Sequence, residues 1–495
     1  MSTRICLINP PHILFRESDF LGPFQPLGLA YIAAVLEQNG YEVSILDALA
    51  LGWDKYTTRG NHRLVGLPYD EITAYVQKVN PDIVGIAALF SLQARSAYLT
   101  ASAVKRAGKD ITVVLGGIHP TVNPVECLDQ PDVDIVVRGE GEYTMLHLVE
   151  ALESRPLELS QVAGIGYREN GTTKMTTDAP PIAELDSLPF PARHLLPMDK
   201  YYQAAKAGRS ALITTNLNRR WTELITSRGC PYQCVFCGAH LHMGRGWRPR
   251  SPQNVVNEIE ECLQQYNVEV INFVDDNMTL DKERVTRLMD LIIGRDLKFR
   301  WDTPNGIRAD TIDEGLLRKM KKVGCHRIVI APESGNQEVL NNIIRKKLDL
   351  RKVEETVRLC KKVGVRVDCF FVMGLIGETK DNIQESIAFA RKLRRLGATR
   401  CTFSIATPHH GTDLYEQAKK LGYLREDKDE YMSHSKPTIE TPEFSLEEID
   451  ELYKQSLKVN PIISKDDIGI AIRIFLTDPL RAIRMTLTRI RDFRP

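Results

Sequence analysis

The sequence contains no hydrophobic run long enough to cross a bilayer, no imbalance of charge and no second cluster of cysteines. Each lack excludes something. A membrane span takes roughly 20 consecutive apolar residues. The N-terminal run in MSTRICLINPPHILF stops at Pro10-Pro11, so it reads as neither a span nor a secretory signal. A formal net charge of +1 gives no global field to draw in nucleic acid, and no such partner is expected. These features place the chain in the cytoplasm, where disulfides are rare. What is present is ordinary for a globular protein: 43% apolar and 26% charged residues, in a length that suits two or three domains. Seven of the ten cysteines (Cys6, Cys127, Cys262, Cys325, Cys360, Cys369 and Cys401) are scattered and read as small buried hydrophobes.

Short β-branched runs at 4–10, 42–48, 82–89, 111–117 and 134–140 alternate with helical stretches at 27–40 and 94–108. Buried parallel strands with crossover helices are the economical reading, which predicts an α/β, doubly wound Rossmann-like domain over 1–150. Ligands of such sheets bind at the C-terminal strand ends. LGGIHPT (115–121) and RGEGE (138–142) fall there. Residues 151–215 read as a hairpin around Asn170-Gly171, then a proline-punctuated linker laid over a surface. From 216 to 415 the alternation resumes, with strands expected at 223–229, 269–276, 299–310, 327–334, 366–375 and 399–408. Six such units close most of a barrel or form a second open sheet. Residues 416–495 read as helical. Their end is arginine-rich, lysine-free and apolar, either a helix docked on the body or a basic amphipathic segment resting on a membrane or a lipid-like substrate carrier.

The clustered cysteines are Cys230, Cys234 and Cys237, in the pattern C-x3-C-x2-C within SRGCPYQCVFCGAH. Thiolates suit zinc, Cu(I) or iron–sulfur clusters. Structural zinc takes four protein ligands, and His240 and His242 are the local candidates. An electron-transfer cluster wants a fourth cysteine, which Cys262 or Cys325 would have to bring from afar. The remaining option is a four-iron cluster with three thiolates and one open iron. Phe236 adds an apolar wall beside it, and Gly238 leaves backbone room for a ligand.

The trio, with an aromatic residue before its last cysteine and a place after the first strand of a βα barrel, resembles the radical S-adenosylmethionine (SAM) enzymes. The resemblance implies a partial (β/α)6 TIM-like barrel and a [4Fe-4S] cluster. It implies that SAM occupies the open iron and yields a 5′-deoxyadenosyl radical on reduction. It extends over most of 220–415. FVDDNMT places Asp275, with Asp276 beside it, where the family contacts the SAM amino group. GIRAD places Arg308 near the SAM carboxylate, although it could simply pair with Asp302 or Asp310. APESGN offers Glu333 to ribose hydroxyls, or to a helix start. MGLIGET brings Gly374 and Gly377 near adenine, and TPHHGTDLY presents His409 and His410 either as plain surface residues or as candidate substrate contacts. No catalytic residue is assigned.

The front domain is similar to the cobalamin-binding branch of the same family. By that resemblance Ser91, Gly116, Gly117, His119, Glu140 and Glu142 are cofactor-binding candidates. The plainer alternatives are a tight turn for the glycine pair, a surface-loop histidine for His119 and a helix-start pair for the two glutamates. The family's D-x-H-x-x-G stretch is DALALG here, with Leu49 in the histidine position. Cobalamin is therefore expected without a protein histidine ligand; the alternative is a pocket that has lost cobalamin. The implied activity is C-methylation of an unactivated carbon. Oxidative cyclisation of the anaerobic magnesium-protoporphyrin monomethyl ester type is the alternative, and a non-catalytic iron–sulfur or zinc module is the alternative of another class. A small, hydrophobic substrate and an external one-electron donor such as flavodoxin or ferredoxin are the expected partners.

Overall fold

The computed structural model describes residues 3–15, 22–154, 157–207, 219–425 and 436–461, with Phe475, Leu476, Pro479 and Ile483 of the C-terminal segment. The arginine-rich tail otherwise lies outside the described residues. The chain divides into two compact units, Met1–Ile213 with Leu241–Gly244, and Thr214–His240 with Arg245–Pro495.

The first unit is built on five parallel strands in the order Glu42–Asp47, Arg4–Asn9, Ile83–Ala87, Thr112–Gly116 and Ile135–Val137. The apolar runs of the four strands inside Glu42–Asp47, which forms the edge, are buried on both faces, as strands under crossover helices require. A hairpin of Ile165–Glu169 and Thr172–Met175 extends the sheet antiparallel. Asn170 and Gly171 both have positive φ (51° and 77°), the backbone a two-residue hairpin turn needs.

Two features depart from expectation. A second, antiparallel sheet joins His12–Phe15, His62–Val65 and Tyr56–Arg59. The proline-punctuated stretch that follows the hairpin is not a simple surface strap either. Its side chains Leu185, Leu188, Ala192, Arg193 and Leu196 are buried, and it ends in a helix, Met198–Lys206. The Tyr201 hydroxyl of that helix donates to Asp47 Oδ2 at 2.5 Å, anchoring the segment to the parallel sheet.

The second unit holds six parallel strands in sequential order: Trp221–Leu224, Val270–Phe273, Arg300–Ile307, Cys325–Glu333, Arg366–Met373 and Arg400–Ile405. Among the described residues no pairing joins the first strand to the sixth, so this is a partial barrel. Helices Pro252–Gln265, Lys282–Gly294, Glu314–Lys322, Leu350–Val363 and Lys380–Leu396 cover it. Each starts at a side chain that accepts from its own first turn: Ser251, Asp281, Asp313, Asp349 and Thr379. Such caps satisfy otherwise orphaned N–H groups, at about 1 kcal/mol apiece. Helix Leu446–Leu457 packs against the sixth strand.

At the strand starts, Arg327 is buried between two carboxylates. It reaches Asp302 Oδ2 at 2.6 Å and Asp368 Oδ2 at 3.2 Å. Asp302 is thereby committed to Arg327.

Candidate active site at the strand ends

The first barrel strand does not run on to 229 as its sequence suggests. It stops at Leu224, and Ser227–Arg228 pairs instead with Arg248–Pro249. Asp275 accounts for the diversion. Its carboxylate accepts from the Thr226 N–H at 3.1 Å, the Thr226 hydroxyl at 2.6 Å and the Ser227 hydroxyl at 2.7 Å. Gly229, with φ of 82°, then turns the chain into the cysteine loop.

That loop is tied down between its cysteines. Val235 N–H donates to Ile344 O at 3.1 Å, and Val235 O accepts from Leu414 N–H at 2.9 Å. Cys237 N–H donates to Cys234 O at 3.0 Å, closing a turn. Phe236 packs on the barrel core. Cys230, Cys234 and Cys237 are half-buried, whereas the other seven cysteines are fully buried. Cys262 and Cys325 lie within the hydrophobic core, which removes them as fourth ligands. Among the described residues no group of three or more His, Cys, Asp or Glu side chains is placed to hold a single metal ion. Burial pushes all three thiols up, Cys234 to about 12. Their conversion to thiolates calls for a strong local positive charge, which an iron cluster brings. Three soft donors on one short loop, with no fourth cysteine at hand, fit such a cluster and leave one iron open.

The expected SAM contacts are brought to this end of the barrel, with changed roles. Asp275 is buried and fully engaged, so it holds the loop rather than a ligand. Its neighbour Asp276 keeps an exposed surface. Its carboxyl is pushed up to about 6 by close surroundings that thin its hydration and by Asp275, against a Gly229 N–H that favours the charged form. Arg308 pairs with Asp310 through two bonds of 2.9 and 2.7 Å, so of its two alternatives Asp310 is the partner. Glu333 caps no helix. It ends the fourth strand with φ of 66° and accepts from Lys346 Nζ at 2.8 Å. Lys346 and Tyr232, whose ring lies 3.9 Å under the Arg308 guanidinium, were not signalled by any motif. His409 and His410 are partly exposed after the sixth strand.

Gly374 and Gly377 adopt positive φ (81° and 86°), and the loop they form is held by Glu378. Glu378 Oε2 accepts from Gly374 N–H at 2.8 Å and Leu375 N–H at 3.2 Å, while Oε1 has no hydrogen-bond partner among the described residues. Burial pushes the carboxyl from 4.5 to about 7, with the two N–H groups acting in the other direction. The folded protein thus prefers the protonated acid. As pH rises from 4.5 to about 7 the unfolded chain loses this proton first, so stability falls across that window and the penalty is complete above it. Glu378→Gln removes the effect. Its melting temperature should change less than that of the wild type between about pH 5 and about pH 8. Equal pH dependence of the two proteins in calorimetry would contradict this.

In the first unit the strand ends are open at Gly116 and Gly139, where an added Cβ would meet nothing within 4 Å. Gly117 is the opposite case. Its φ is 121° and a Cβ would lie 2.5 Å from Ala88 O, so it is required by the turn itself. His119 is not a surface histidine. It is fully buried, with Nδ1 3.1 Å from the Ser91 hydroxyl and Nε2 2.8 Å from the Tyr98 hydroxyl. Glu140 begins helix Gly141–Glu153 and accepts from Ile182 N–H at 2.7 Å, and Glu142 is buried in its first turn.

Residues 224–390 match the Radical SAM superfamily, and residues 18–149 match the B12 binding domain. The cytidylyl-2-hydroxyethylphosphonate methyltransferase of Streptomyces wedmorensis is 32% identical over 478 residues, covering 91% of this chain and 88% of that protein. The chain belongs to the radical SAM superfamily. The anaerobic magnesium-protoporphyrin IX monomethyl ester cyclase of Rubrivivax gelatinosus is 28% identical, over 89% of this chain and 73% of that one. The fold is shared with the radical SAM methyltransferase TsrM from Kitasatospora setae, solved with cobalamin and a [4Fe-4S] cluster (TM-score 0.67, 18% identity, 86% of this chain and 79% of that).

The residues of this radical SAM enzyme can be tested against a B12 cofactor. Leu49 is buried in an apolar cluster with Val65, packed by Leu14 and Trp53. Asp47, two residues before it, caps helix Ala48–Leu51 and accepts from Asn9 and Tyr201. Neither Leu49 nor the doubly engaged His119 offers a nitrogen to cobalt. What the edge does offer is exposed apolar surface at Leu89, Phe90 and Leu92, on the loop after Ile83–Ala87. Open glycines and an apolar loop fit a broad, flat ring.

Proposed function

We propose that the protein is a cobalamin-dependent radical SAM methyltransferase acting on an unactivated carbon of a small molecule. The observation that carries the reading is the three-cysteine loop, half-exposed and without a fourth cysteine, while every other cysteine is buried. When bound, the cluster and SAM supply a 5′-deoxyadenosyl radical that takes a hydrogen atom, and cobalamin supplies the methyl group.

The chain's own residues bind and orient these groups. Cys230, Cys234 and Cys237 hold the cluster. Asp276 takes the place expected of Asp275 as the carboxylate open to the SAM amino group, and Glu333 serves the ribose hydroxyls. Gly374 and Gly377 keep their loop free of side chains where adenine approaches. Ser91, Gly116, Gly117, Glu140 and Glu142 shape the cobalamin edge, and His119 sets the direction of the Ser91 hydroxyl. His409 and His410 are offered to the substrate. The electron comes from an external donor such as flavodoxin or ferredoxin. Among the described residues no helix is long and apolar enough to cross a membrane. Peripheral membrane contact is proposed for the tail alone, on its sequence.

The 28% identical cyclase supports a second reading, oxidative ring closure with the same cofactors. Products separate the two. Protein reconstituted anaerobically with iron, sulfide and cobalamin is incubated with SAM and a strong reductant. Methylation predicts both S-adenosylhomocysteine and 5′-deoxyadenosine. Accumulation of 5′-deoxyadenosine without S-adenosylhomocysteine would replace methylation by the cyclase reading.

A further inference from the structure

The arginine whose motif points to the SAM carboxylate has few donors left for one. Arg308 is only 7% exposed. Its Nε and Nη2 donate to the two carboxylate oxygens of Asp310 at 2.9 and 2.7 Å. Nη1 donates to Lys346 O at 3.0 Å, and Nη2 also to Lys347 O at 3.3 Å. Most of the guanidinium's N–H groups are thus spent on the chain itself. Its planar face is spent as well. It covers the Tyr232 ring, 3.9 Å from the centroid.

Both sets of partners belong to the mounting of the cysteine loop. Tyr232 lies between Cys230 and Cys234, and its carbonyl accepts from Arg245 Nη1 at 3.2 Å. In the next interval, between Cys234 and Cys237, Val235 N–H donates to Ile344 O at 3.1 Å. One segment, Ile344 to Lys347, therefore receives both intervals of the loop. It takes the second directly, through Ile344 O, and the first through Arg308. The segment is itself fixed. Arg345 and Lys347 have φ of 63° and 51°, in the left-handed region that residues with side chains seldom enter. Backbone of this kind persists only where the surroundings impose it. Arg345 pairs with Asp413 and Lys346 with Glu333, each at 2.8 Å.

We propose that Arg308 is a positioning residue of the cysteine loop and not a contact of SAM. It clips Tyr232 to the Ile344–Lys347 segment and so fixes how Cys230 stands to Cys234. The proposal rests on reading the three cysteines as ligands of an iron–sulfur cluster. A guanidinium suits the task, because its rigid fork reaches Asp310 and both carbonyls while its face stacks on an aromatic ring. A lysine carries the same charge with neither the fork nor the face. A contact that serves a carboxylate by charge alone tolerates that exchange far better.

The test follows the anaerobically reconstituted protein in two ways. One is the rate at which a chelator strips its iron. The other is the SAM concentration that half-converts the electron paramagnetic resonance signal of the cluster. Arg308→Gln should lose iron about tenfold faster than the wild type, because a stacked cation and its hydrogen bonds go together. Arg308→Lys should lose it nearly as fast. Tyr232→Phe keeps the ring and should match the wild type, whereas Tyr232→Leu should lose iron faster. The double variant Tyr232→Leu/Arg308→Gln should fall short of the product of the single effects, since both remove one contact. Variants that keep their iron should need no more SAM than the wild type. Iron retention at the wild-type rate in Arg308→Gln overturns the inference, and a raised SAM requirement beside it would mark Arg308 as a SAM contact. Wild-type retention in Arg308→Lys overturns it too. If circular dichroism shows Arg308→Gln unfolded, the tyrosine variants decide, and equal iron loss from Tyr232→Leu and Tyr232→Phe overturns the inference. Failure of the wild type to take up iron overturns the cluster reading instead.

Discussion

Cys234→Ala should take up no stable iron–sulfur cluster and should lose SAM cleavage by more than about 10³-fold, equivalent to over about 4 kcal/mol of transition-state stabilisation. The size of the effect follows from the donor count. Three thiols are available and no fourth stands by, because Cys262 and Cys325 lie within the core. The loop itself should survive, since its ties run through the Val235 backbone and not through the thiols. Cys325→Ala is the matched control. It deletes a buried sulfur from the core, should cost about 1–2 kcal/mol of stability and should keep the cluster. Iron analysis and anaerobic product assays on the two variants check both halves. A Cys234→Ala protein that retains iron and cleaves SAM would show that the centre is built from other residues.

Arg327→Met is expected to destabilise the barrel unit by about 3–5 kcal/mol, because two carboxylates would remain buried without their cation. Asp302 and Asp368 both end on this guanidinium, and all three side chains are nearly inaccessible to water. Burial already pushes the Asp368 carboxyl up, with the arginine charge acting against it. Without Arg327 the Asp368 carboxyl should rise further. A raised carboxyl costs stability above the pKa of the unfolded chain and nothing once both states are protonated, so the deficit should shrink as pH falls. Adding Asp302→Asn and Asp368→Asn to Arg327→Met should restore much of the loss at neutral pH. Denaturant melts under anaerobic conditions measure each step. A neutral Arg327→Met would mean that the buried pairs are solvated.

The alternation of strands and helices could be read from the chain because buried parallel strands demand continuous β-branched runs, as in Arg4–Asn9 and Thr112–Gly116. The sheet of His12–Phe15, Tyr56–Arg59 and His62–Val65 could not. Its strands are four residues long, and pairing between distant segments holds His12–Phe15 in place just after Pro10-Pro11. The cysteine trio was legible because its spacing is local. Which of two adjacent aspartates faces a ligand was not, since that depends on Asp275 meeting Thr226 and Ser227 from another part of the chain. Arg308 was found by its motif, but its commitment to Asp310 and to the carbonyls of Lys346 and Lys347 emerges only in three dimensions. Lys346 carried no signal at all. In sequence it belongs to a run of three cations, and only the folded backbone turns it inward.

The most direct test of the three-thiolate centre is electron paramagnetic resonance of the anaerobically reconstituted, reduced protein with and without SAM. We expect about four irons per chain and a cluster signal that changes when SAM is added, because SAM occupies the open iron. Zinc in place of iron, or a cluster signal indifferent to SAM, would contradict the account.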